Sequence, residues 1–496
     1  MNFLTHIKNK KSIAIIDENK NFIKSDELQK VVKFNSIIIS KINIKRTDTL
    51  AIVLENGPDF ITSFLSVINT CIAAPLNPSY TEGEFNFYFK DLKPKALITN
   101  FSKGHPSLNI AKKYKIKIIN IEKHCFLIEK KHLNKKVIKP RISNNKDLAL
   151  ILHTSGTTSK PKMVALSHYN LIKSAKNISS ALKLTAKDKN IILMPSFHIH
   201  GIIASILAPL YKGGKVVALP KFNVLSFYQH LSNHKPTWFT AVPTMLQSII
   251  DRSKNNSKII KDSNLKFIRS SSASLPVKTL KELEKVFNVP LIESYGMTEA
   301  THQMTTNLLP PFKRKPGSVG LAVGLKVKVV DNNFVPLPNE KEGEVIIKGE
   351  SVFKGYLANN SANKTSFSKG WFRTGDLGYF DKDGCLFISG RIKEIINRGG
   401  EKISPKEIDE VFIKHPKISK VITFSLKHDK LGEDVALAVV LKDKQQLNKS
   451  DVKDFAKNKL APFKIPRNIY FLKDIPVGAT GKIQRIGLAK KLGLEK

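Results

Sequence analysis

Several features that would assign a protein to a common class are scarce or absent in this chain of 496 residues. It contains three cysteines, Cys71, Cys125 and Cys385, which lie far apart and are odd in number. This usage argues against a disulfide framework or a zinc knuckle and is typical of a reducing compartment. The N-terminus lacks an apolar stretch long enough for a signal peptide, and no run elsewhere approaches the length of a membrane span. We therefore expect a cytoplasmic protein without a membrane span.

Three widespread catalytic signatures are also missing. The patterns Gly-x-Gly-x-x-Gly, His-Glu-x-x-His and Gly-x-Ser-x-Gly do not occur. Their absence excludes the usual dinucleotide-binding dehydrogenase, zinc peptidase and α/β-hydrolase as interpretations of this sequence.

Acidic residues are scarce relative to basic ones. There are 41 Asp and Glu against 82 Lys and Arg, which gives a formal net charge of +41. Such an excess is typical of proteins that bind nucleic acid or anionic membranes. The lysines are, however, spread over the whole chain among many Asn and Ile residues, without a clear basic face or interleaved aromatic platforms. A nucleic-acid-binding protein stays an alternative that rests on charge alone.

The length of the chain exceeds what one hydrophobic core usually serves, so we expect at least two domains. Between about 50 and 220, strand-like apolar runs alternate with helical patterns, which is an α/β signature. From about 325, short strand patterns separated by turns predict a β subdomain. After Gly390 the sequence becomes strongly charged and continues as helix, strand and helix. We place the domain boundary near Lys393, which gives domains of residues 1–392 and 393–496.

One polar loop is the most informative stretch. Its residues are Thr154, Ser155, Gly156, Thr157, Thr158, Ser159, Lys160, Pro161 and Lys162. It follows the apolar run 148–152, so it is predicted to leave a buried strand with backbone N–H groups free to bind phosphate oxygens. The spacing differs from that of the common P-loop, which indicates another nucleotide-using fold. A flexible polar turn is the alternative.

A second motif, Tyr295 to Glu299, follows the strand-like run 289–293 and is predicted to lie at the carboxyl edge of a sheet, where α/β folds bind ligands. Tyr295 could stack on a base, and Thr298 could donate to a phosphate. Glu299 offers a hard oxygen ligand to Mg²⁺. Taken alone, this pentapeptide is equally compatible with an ordinary turn.

Two further motifs lie towards the C-terminus. Asp376 could accept hydrogen bonds from ribose hydroxyls while Arg391 supplies donors, although a surface ion pair explains them equally well. Lys482 follows Gly481 in the run 478–483, where glycines let a lysine project from a mobile loop.

Together, and in this order, these motifs resemble the adenylate-forming superfamily of acyl-CoA synthetases, nonribosomal-peptide adenylation domains and luciferases. The resemblance extends over essentially the whole chain. It implies an α/β fold with a large N-terminal domain of two α/β subdomains plus a β subdomain, and a small mobile α+β C-terminal domain. It also implies that the loop 154–162 grips the β and γ phosphates, that Lys393 is the hinge and that Lys482 is the catalytic lysine.

The resemblance implies ATP, Mg²⁺ and coenzyme A as the small-molecule partners, together with a carboxylic acid. The acid would attack the α-phosphorus of ATP, and a thiol would then displace AMP from the acyl-adenylate. Gly399 and Gly400, with Lys402, would let a pantetheine arm approach the backbone after the domains reorient. A stand-alone adenylation enzyme that loads a carrier protein shares every motif and stays open.

The residues that flank these motifs predict the acid. The candidate acyl-binding residues are His198, His200, Ser271, Ser272 and His302. The positions of His200, Ser271, Ser272 and His302 look apolar, aromatic or small in relatives that act on fatty or aromatic acids, whereas His198 is expected to gate or shape the pocket. Imidazolium and hydroxyl donors could receive a second carboxylate, which indicates a small polar acid. The runs that contain them closely resemble those of plant and fungal oxalate–CoA ligases, which implies oxalate. Another short acid or a 4-coumarate-like acid is the alternative.

We predict that Lys482→Ala abolishes pyrophosphate exchange but spares thioester formation from supplied acyl-adenylate. An oriented charge in a water-poor site contributes roughly 3 to 4 kcal/mol to such a transition state, so the loss should be about a hundred- to a thousandfold. Equal losses in both half-reactions would contradict this role.

Overall fold

The structure is a computed structural model that describes residues 3–7, 12–133, 140, 142–154, 161–478 and 483–495. These residues form four β-sheets with helices packed against them. No helix among them is long and apolar enough to cross a bilayer.

The first part of the chain alternates strands and helices. Its strands are Ile13–Ile16 (β1), Phe22–Lys24 (β2), Thr49–Val53 (β3), Ile72–Pro75 (β4), Ala96–Thr99 (β5), Lys117–Glu122 (β6), Cys125–Leu127 (β7), Leu148–Thr154 (β8) and Lys162–Ser167 (β9). Its helices are Ser25–Lys41 (α1), Pro58–Thr70 (α2), Glu82–Leu92 (α3), Pro106–Lys113 (α4) and His168–Ala181 (α5).

Strands β3 to β9 form one sheet in the order β7-β6-β5-β3-β4-β8-β9. The inner pairs are parallel, whereas the edge strands β7 and β9 are antiparallel to their neighbours. Every residue of β3, β4 and β5 is buried, as expected of parallel strands covered by helices on both faces. The β8–β9 hairpin carries the polar loop, so the predicted strand before that loop is confirmed.

The second part of the chain adds another α/β unit. Its strands are Lys189–Ile192 (β10), Lys215–Val217 (β11), Trp238–Ala241 (β12), Phe267–Ser271 (β13), Leu291–Met297 (β14), His302–Thr306 (β15) and Leu321–Ala322 (β16). Its helices are Ala208–Tyr211 (α6), Val224–His234 (α7), Pro243–Asp251 (α8), Ser257–Lys261 (α9) and Val277–Phe287 (α10), with a π-helical segment at His200–Leu207.

These strands form a sheet in the order β16-β15-β14-β13-β12-β10-β11-β1-β2. The strands from β14 through β10 and β11 to β1 are parallel, so their carboxyl ends meet at one edge. Strand β14 is longer than the sequence predicts. It continues to Met297 because β15 pairs antiparallel with residues 294–297.

The remaining strands build two smaller sheets. They are Lys326–Val330 (β17), Gly343–Lys348 (β18), Phe367–Ser368 (β19), Trp371–Phe380 (β20), Leu386–Arg391 (β21), Ile396–Arg398 (β22), Glu401–Ile403 (β23), Ile418–His428 (β24), Gly432–Leu441 (β25) and Asn468–Phe471 (β26). The accompanying helices are Asn360–Ser366 (α11), Pro405–Phe412 (α12), Lys449–Ala456 (α13) and Leu488–Lys491 (α14). Strands β17 to β21 form the predicted β subdomain, and β22 to β26 form the C-terminal sheet.

The C-terminal sheet has a core on each face. Alternate residues of β25 point to opposite faces, so Val435 and Leu437 pack with α12 and α13 while Ala436 and Ala438 pack with α14. The sequence predicted a helix directly after the charged stretch, but β22 and β23 come first. Arg398 of β22 donates to Asp434 at 2.6 Å and Ile396 of the same strand is buried in the apolar core, so an ion pair and one apolar side chain hold this strand.

Gly296 allows strands β14 and β15 to pair closely, because it has no side chain. A Cβ atom at this position would lie 1.8 Å from the carbonyl oxygen of His302. We predict that Gly296→Ala lowers the free energy of unfolding by at least about 2 kcal/mol, because backbone must move to admit the methyl group. Gly83→Ala in helix α3 is the control, since nothing lies within 4 Å of its added Cβ. Gly83→Ala should leave the free energy of unfolding unchanged or raise it, as measured by calorimetry.

Candidate active site

The polar loop begins and ends at paired strand residues. Thr154 of β8 lies opposite Lys162 of β9 in the hairpin register. The predicted phosphate-binding residues Ser155, Gly156, Thr157 and Thr158 lie outside the described residues and stay predictions. What the structure establishes is that both flanks of the loop are fixed by an antiparallel ladder.

Lys162 and Glu299 meet at a tyrosine that the sequence analysis did not single out. The Nζ atom of Lys162 lies 4.6 Å from the centroid of the Tyr356 ring, within the range of a cation–π contact. The Tyr356 hydroxyl donates to Oε1 of Glu299 at 2.8 Å. The backbone next to Tyr356 is also tied to β9, because Leu357 donates to the Met163 carbonyl at 3.0 Å. Tyr356 therefore couples the exit of the polar loop to the predicted metal ligand.

Glu299 is a buried carboxylate whose surroundings are compatible with a bound cation. It is buried, and this burial raises its pKa, while the Tyr356 hydroxyl acts in the opposite direction. Among the described residues no cation forms an ion pair with it, and none of their acidic, histidine or cysteine side chains form a metal cluster of three. Mg²⁺ fits such a site, held by Glu299 together with nucleotide oxygens and water. When bound it neutralises negative charge on the phosphates.

Asp376 and Arg391, which the sequence analysis assigned to ribose, lie together with Tyr295, which it assigned to stacking on a base; these roles stay predictions. Asp376 and Arg391 are register partners in β20 and β21, and Arg391 Nε donates to Asp376 Oδ1 at 2.8 Å. The Tyr295 hydroxyl donates to the other carboxylate oxygen of Asp376. The Asp376 charge holds the pKa of Arg391 above its ordinary value, while burial raises that of Tyr295. Asp376 is thus an oriented acceptor whose two carboxylate oxygens are held by Arg391 and Tyr295, and its contact with ribose stays a prediction.

The acyl-site candidates form a buried group at the carboxyl edge of the second sheet. His200 lies between two hydroxyls, with Ser272 Oγ at 3.0 Å from Nδ1 and Thr240 Oγ1 at 2.7 Å from Nε2. Its ring stacks on that of His302 at a centroid distance of 4.6 Å. We call His200, Thr240, Arg269, Ser272, His302 and Gln303 the polar cluster.

Three members of the polar cluster, Thr240, Arg269 and Gln303, were not among the candidate site residues named from the sequence. Arg269 is 0% exposed, and no carboxylate contacts its guanidinium among the described residues. Nη1 donates to Thr240 at 3.1 Å and lies 3.2 Å from His200 Nε2, and Nη2 donates to Gln303 at 3.1 Å. Its Nε has no described hydrogen-bond partner. Burial lowers the pKa of Arg269 to about 9.

A signal for Arg269 was present in the sequence. It is the one charged residue in the otherwise apolar or small stretch Phe267–Ser271, and a charged residue in a fully buried strand requires a partner. Tyr356 carried no comparable signal, since an aromatic residue at a turn has many uses. Its role depends on the pairing between distant segments.

The backbone around the polar cluster is conformationally unusual. Ser272 and His302 have positive φ angles of 75° and 90°, and His200 begins the π-helical segment. Such conformations cost free energy in non-glycine residues and concentrate at functional sites. These conformations bring the side chains of His200, Ser272 and His302 together.

The other two acyl-site candidates are placed differently. The Ser271 hydroxyl donates to the Ser294 carbonyl at 2.9 Å, which fixes it within the sheet. His198 is half-buried, and its Nδ1 accepts from the backbone N–H of His200 at 3.2 Å. This contact matches the prediction that His198 shapes the pocket.

The predicted hinge lies in the link between β21 and β22, and the predicted coenzyme A residues lie in the β22–β23 hairpin. Lys393 is exposed in a short 3₁₀ segment, Ile392–Glu394, that links β21 to β22. Gly399 and Gly400 form the turn between β22 and β23 with φ angles of 58° and 95°, and Lys402 is exposed beside them. Their roles stay predictions, and Lys482 lies outside the described residues.

Two regions of the chain match known families. Residues 8–357 match the AMP-binding enzyme family, and residues 407–482 match the AMP-binding enzyme C-terminal domain. The chain belongs to the AMP-binding enzyme family. It is an AMP-forming acid–CoA ligase, and ATP, Mg²⁺ and coenzyme A serve its reaction.

Similar curated proteins extend over most of the chain. An oxalate–CoA ligase of Saccharomyces cerevisiae is 42% identical, with 90% of this chain and 87% of that protein covered. An oxalate–CoA ligase of Arabidopsis thaliana is 41% identical, with 91% and 89% covered. The family resemblance found in the sequence is therefore confirmed.

A solved structure fixes the fold and its domain arrangement. The chain superimposes on ATP-bound MatB from Rhodopseudomonas palustris with a TM-score of 0.91, at 25% identity and with 100% and 99% of the two chains covered. For apo MatB, at 26% identity and 99% coverage of both chains, the TM-score is 0.78. This AMP-binding enzyme therefore has an arrangement nearer to that of the ATP-bound form. The predicted large N-terminal and smaller C-terminal α/β architecture is confirmed.

We expect Tyr356→Phe to raise the Mg²⁺ concentration needed for half-maximal adenylation by about five- to thirtyfold. The substitution removes one hydrogen bond to a charged group, of about 1 to 2 kcal/mol, but keeps the ring beneath Lys162. Calorimetric titration of the ATP-loaded protein with Mg²⁺ provides a measurement independent of turnover. Tyr356→Leu, which removes the ring as well, should add a defect in ATP affinity, and identical behaviour of the two variants would refute this division of roles.

Proposed function

We propose that this enzyme is an oxalate–CoA ligase that joins oxalate to coenzyme A through an oxalyl-adenylate. The observation that carries the proposal is Arg269, a fully buried cation with no carboxylate partner among the described residues. The relatives named oxalate–CoA ligases support the same assignment.

The charge on Arg269 favours an acid with a second anionic group. An isolated ion enclosed in protein loses much solvation free energy, and an oppositely charged ligand restores it. With its pKa lowered only to about 9, Arg269 stays charged at neutral pH. A fatty or aromatic acid would leave this charge unpaired and would bury its tail against polar groups. A dicarboxylate would pair one carboxylate with Arg269 and present the other for reaction.

The neighbouring groups favour a short dicarboxylate. His200 stacks on His302 and contacts Arg269, and Ser272 contacts His200, so several polar side chains adjoin the buried cation. Strained backbone fixes two of these side chains, which leaves little freedom to fit a longer chain. Oxalate is the shortest dicarboxylate, because its two carboxyl carbons are directly bonded.

The reaction would proceed in two steps. The free carboxylate attacks the α-phosphorus of ATP, the bond from that phosphorus to the bridging oxygen breaks, and diphosphate departs. Lys482 and Lys162 would offset the anionic charge that accumulates. The thiolate of coenzyme A then attacks the acyl carbon, and AMP leaves with the electrons of the acyl–oxygen bond. Asp376 and Arg391 would retain the nucleotide until the second step.

Pyrophosphate exchange with oxalate, malonate, acetate, 4-coumarate and octanoate tests the proposal. Oxalate should give the highest kcat/KM, with AMP and diphosphate as products. A fatty or aromatic acid as the best substrate would overturn the assignment to oxalate. Free coenzyme A and a phosphopantetheinylated carrier protein, compared as acceptors, distinguish the ligase from a stand-alone adenylation enzyme.

We predict that Arg269→Met lowers kcat/KM for oxalate by roughly 10²- to 10³-fold, equivalent to about 3 to 4 kcal/mol, through loss of the paired charge. Acetate, which has no second carboxylate, should be used no less well than by the wild type. The melting temperature should stay equal or rise, because the substitution removes an uncompensated buried charge. Arg314→Met is a matched control. Arg314 pairs with Glu284 at a distance of 2.8 Å, and this ion pair does not involve the polar cluster.

A drop in melting temperature together with equal losses for oxalate and acetate would assign Arg269 a structural role instead. That outcome would remove the main support for a dicarboxylate substrate.

A further inference from the structure

Gln303 occupies the position beside Arg269 where a buried arginine would ordinarily have an acidic partner. It lies on β15 and is 0% exposed. Its Oε1 accepts from Arg269 Nη2 at 3.1 Å, although β14 separates the two strands that carry these residues. The β14 residue opposite Gln303 is Gly296, which has no side chain. Arg269 therefore reaches across β14 to a neutral oxygen.

The orientation of the Gln303 amide follows from this contact. A guanidinium N–H can only donate, so the amide atom that faces Arg269 must be the carbonyl oxygen. The amide nitrogen, Nε2, then points elsewhere, and it is buried without a hydrogen-bond partner among the described residues. Arg269 Nε is in the same condition. The polar cluster thus contains two buried N–H donors whose acceptor the described part of the chain does not supply.

For folding alone, a carboxylate would suit this position better than an amide. Glutamate has the length and shape of glutamine, and its charge would compensate that of Arg269. It would also have no amide N–H to leave without an acceptor. The native amide satisfies one N–H of Arg269 but supplies no charge. The free energy that this arrangement costs is recovered when a ligand brings a carboxylate to the cluster.

The other neighbours of Arg269 do not neutralise it. Its Nη1 contacts the Thr240 hydroxyl and the His200 ring. Burial lowers the pKa of Arg269 to about 9, and no carboxylate of the described residues acts against this effect. A change of amide to carboxylate at Gln303 would therefore give Arg269 a counterion from within the protein.

We propose that Gln303 is a specificity-determining residue for the acid. As a neutral partner it keeps the charge of Arg269 available to a second anionic group of the substrate. This inference rests on the proposed use of an acid with two anionic groups. It implies that a carboxylate at this position would shift the preference towards a monoanionic acid of the same shape.

Oxamate provides the test, because it has the shape of oxalate with a neutral amide in place of one carboxylate. Pyrophosphate exchange gives kcat/KM for both acids, and their ratio measures the preference for the dianion. Gln303→Glu should lower the ratio of oxalate to oxamate at least about thirtyfold, since Arg269 is then paired and the new carboxylate repels that of the substrate.

Two further variants separate charge from shape. Gln303→Met is neutral and similar in size, so the ratio should stay within about threefold of the wild type even where both rates fall. Gln229→Glu is the matched control, because it adds the same charge at an exposed position of helix α7. An unchanged ratio in Gln303→Glu, or equal decreases in Gln303→Glu and Gln303→Met, would overturn the proposal.

The melting temperature gives a measurement that does not depend on turnover. Without ligand at neutral pH, Gln303→Glu should melt at a higher temperature than the wild type, because Arg269 gains a counterion. Added oxalate should then stabilise this variant less than it stabilises the wild type. A lower melting temperature, or failure to fold, would contradict the pairing on which the proposal depends.

The wild-type ratio distinguishes a failure of this proposal from a failure of the proposed function. If malonate is a better substrate than oxalate, the assignment to oxalate fails, and the role of Gln303 is tested with malonate and its monoamide. If the wild type prefers the dianion and Gln303→Glu keeps that preference, only the role of Gln303 fails. A wild type without any preference for the dianion would overturn both.

Discussion

A buried positive charge without a negative partner is the feature on which the interpretation of this site depends. Most buried arginines in proteins are paired, because the solvation they lose must be replaced. Arg269 instead has neutral acceptors from Thr240 and Gln303 and the ring of His200 among the described residues. Neutral acceptors satisfy N–H groups but leave the charge itself uncompensated. A site of this kind makes the free energy of folding less favourable and the free energy of binding an anionic ligand more favourable. The ligand supplies the negative charge that the protein does not.

The fold explains how such a site is maintained. Arg269 projects from β13 between two parallel neighbours, and the strands on either side prevent it from reaching solvent. His302 follows a left-handed residue, Thr301, and is itself left-handed, which the tight β14–β15 connection enforces. The hydrogen-bonded ladder thus supplies the free energy that holds strained backbone and an unpaired charge in place. Loops alone could not do so, because they would relax to solvate the charge.

The sequence predicted the architecture, and it offered candidate residues for the nucleotide site, for a clear reason. Strand-like runs such as 148–152 and motifs such as Tyr295 to Glu299 are local, so their chemistry can be recognised without knowing what they contact. Arg269 and Tyr356 required long-range information. Arg269 matters because of residues on β12 and β15, and Tyr356 because it spans the gap between β9 and Glu299. The short strand β22 was not predicted because it has three residues, of which only Ile396 is buried, while Arg398 pairs with Asp434.

The same electrostatic logic links the acyl site to the moving domain. Adenylation brings a dianionic acid to a polyanionic nucleotide, so positive charge is needed on both sides of the reacting bond. On the acid side Arg269 can be permanent, because the acid stays in place through both half-reactions. On the phosphate side a lysine must be present for the first step and absent for the second, when the thiol needs the same space. A charge that must leave cannot be buried in a rigid sheet, which is why we propose that Lys482, in the separate C-terminal domain, supplies it.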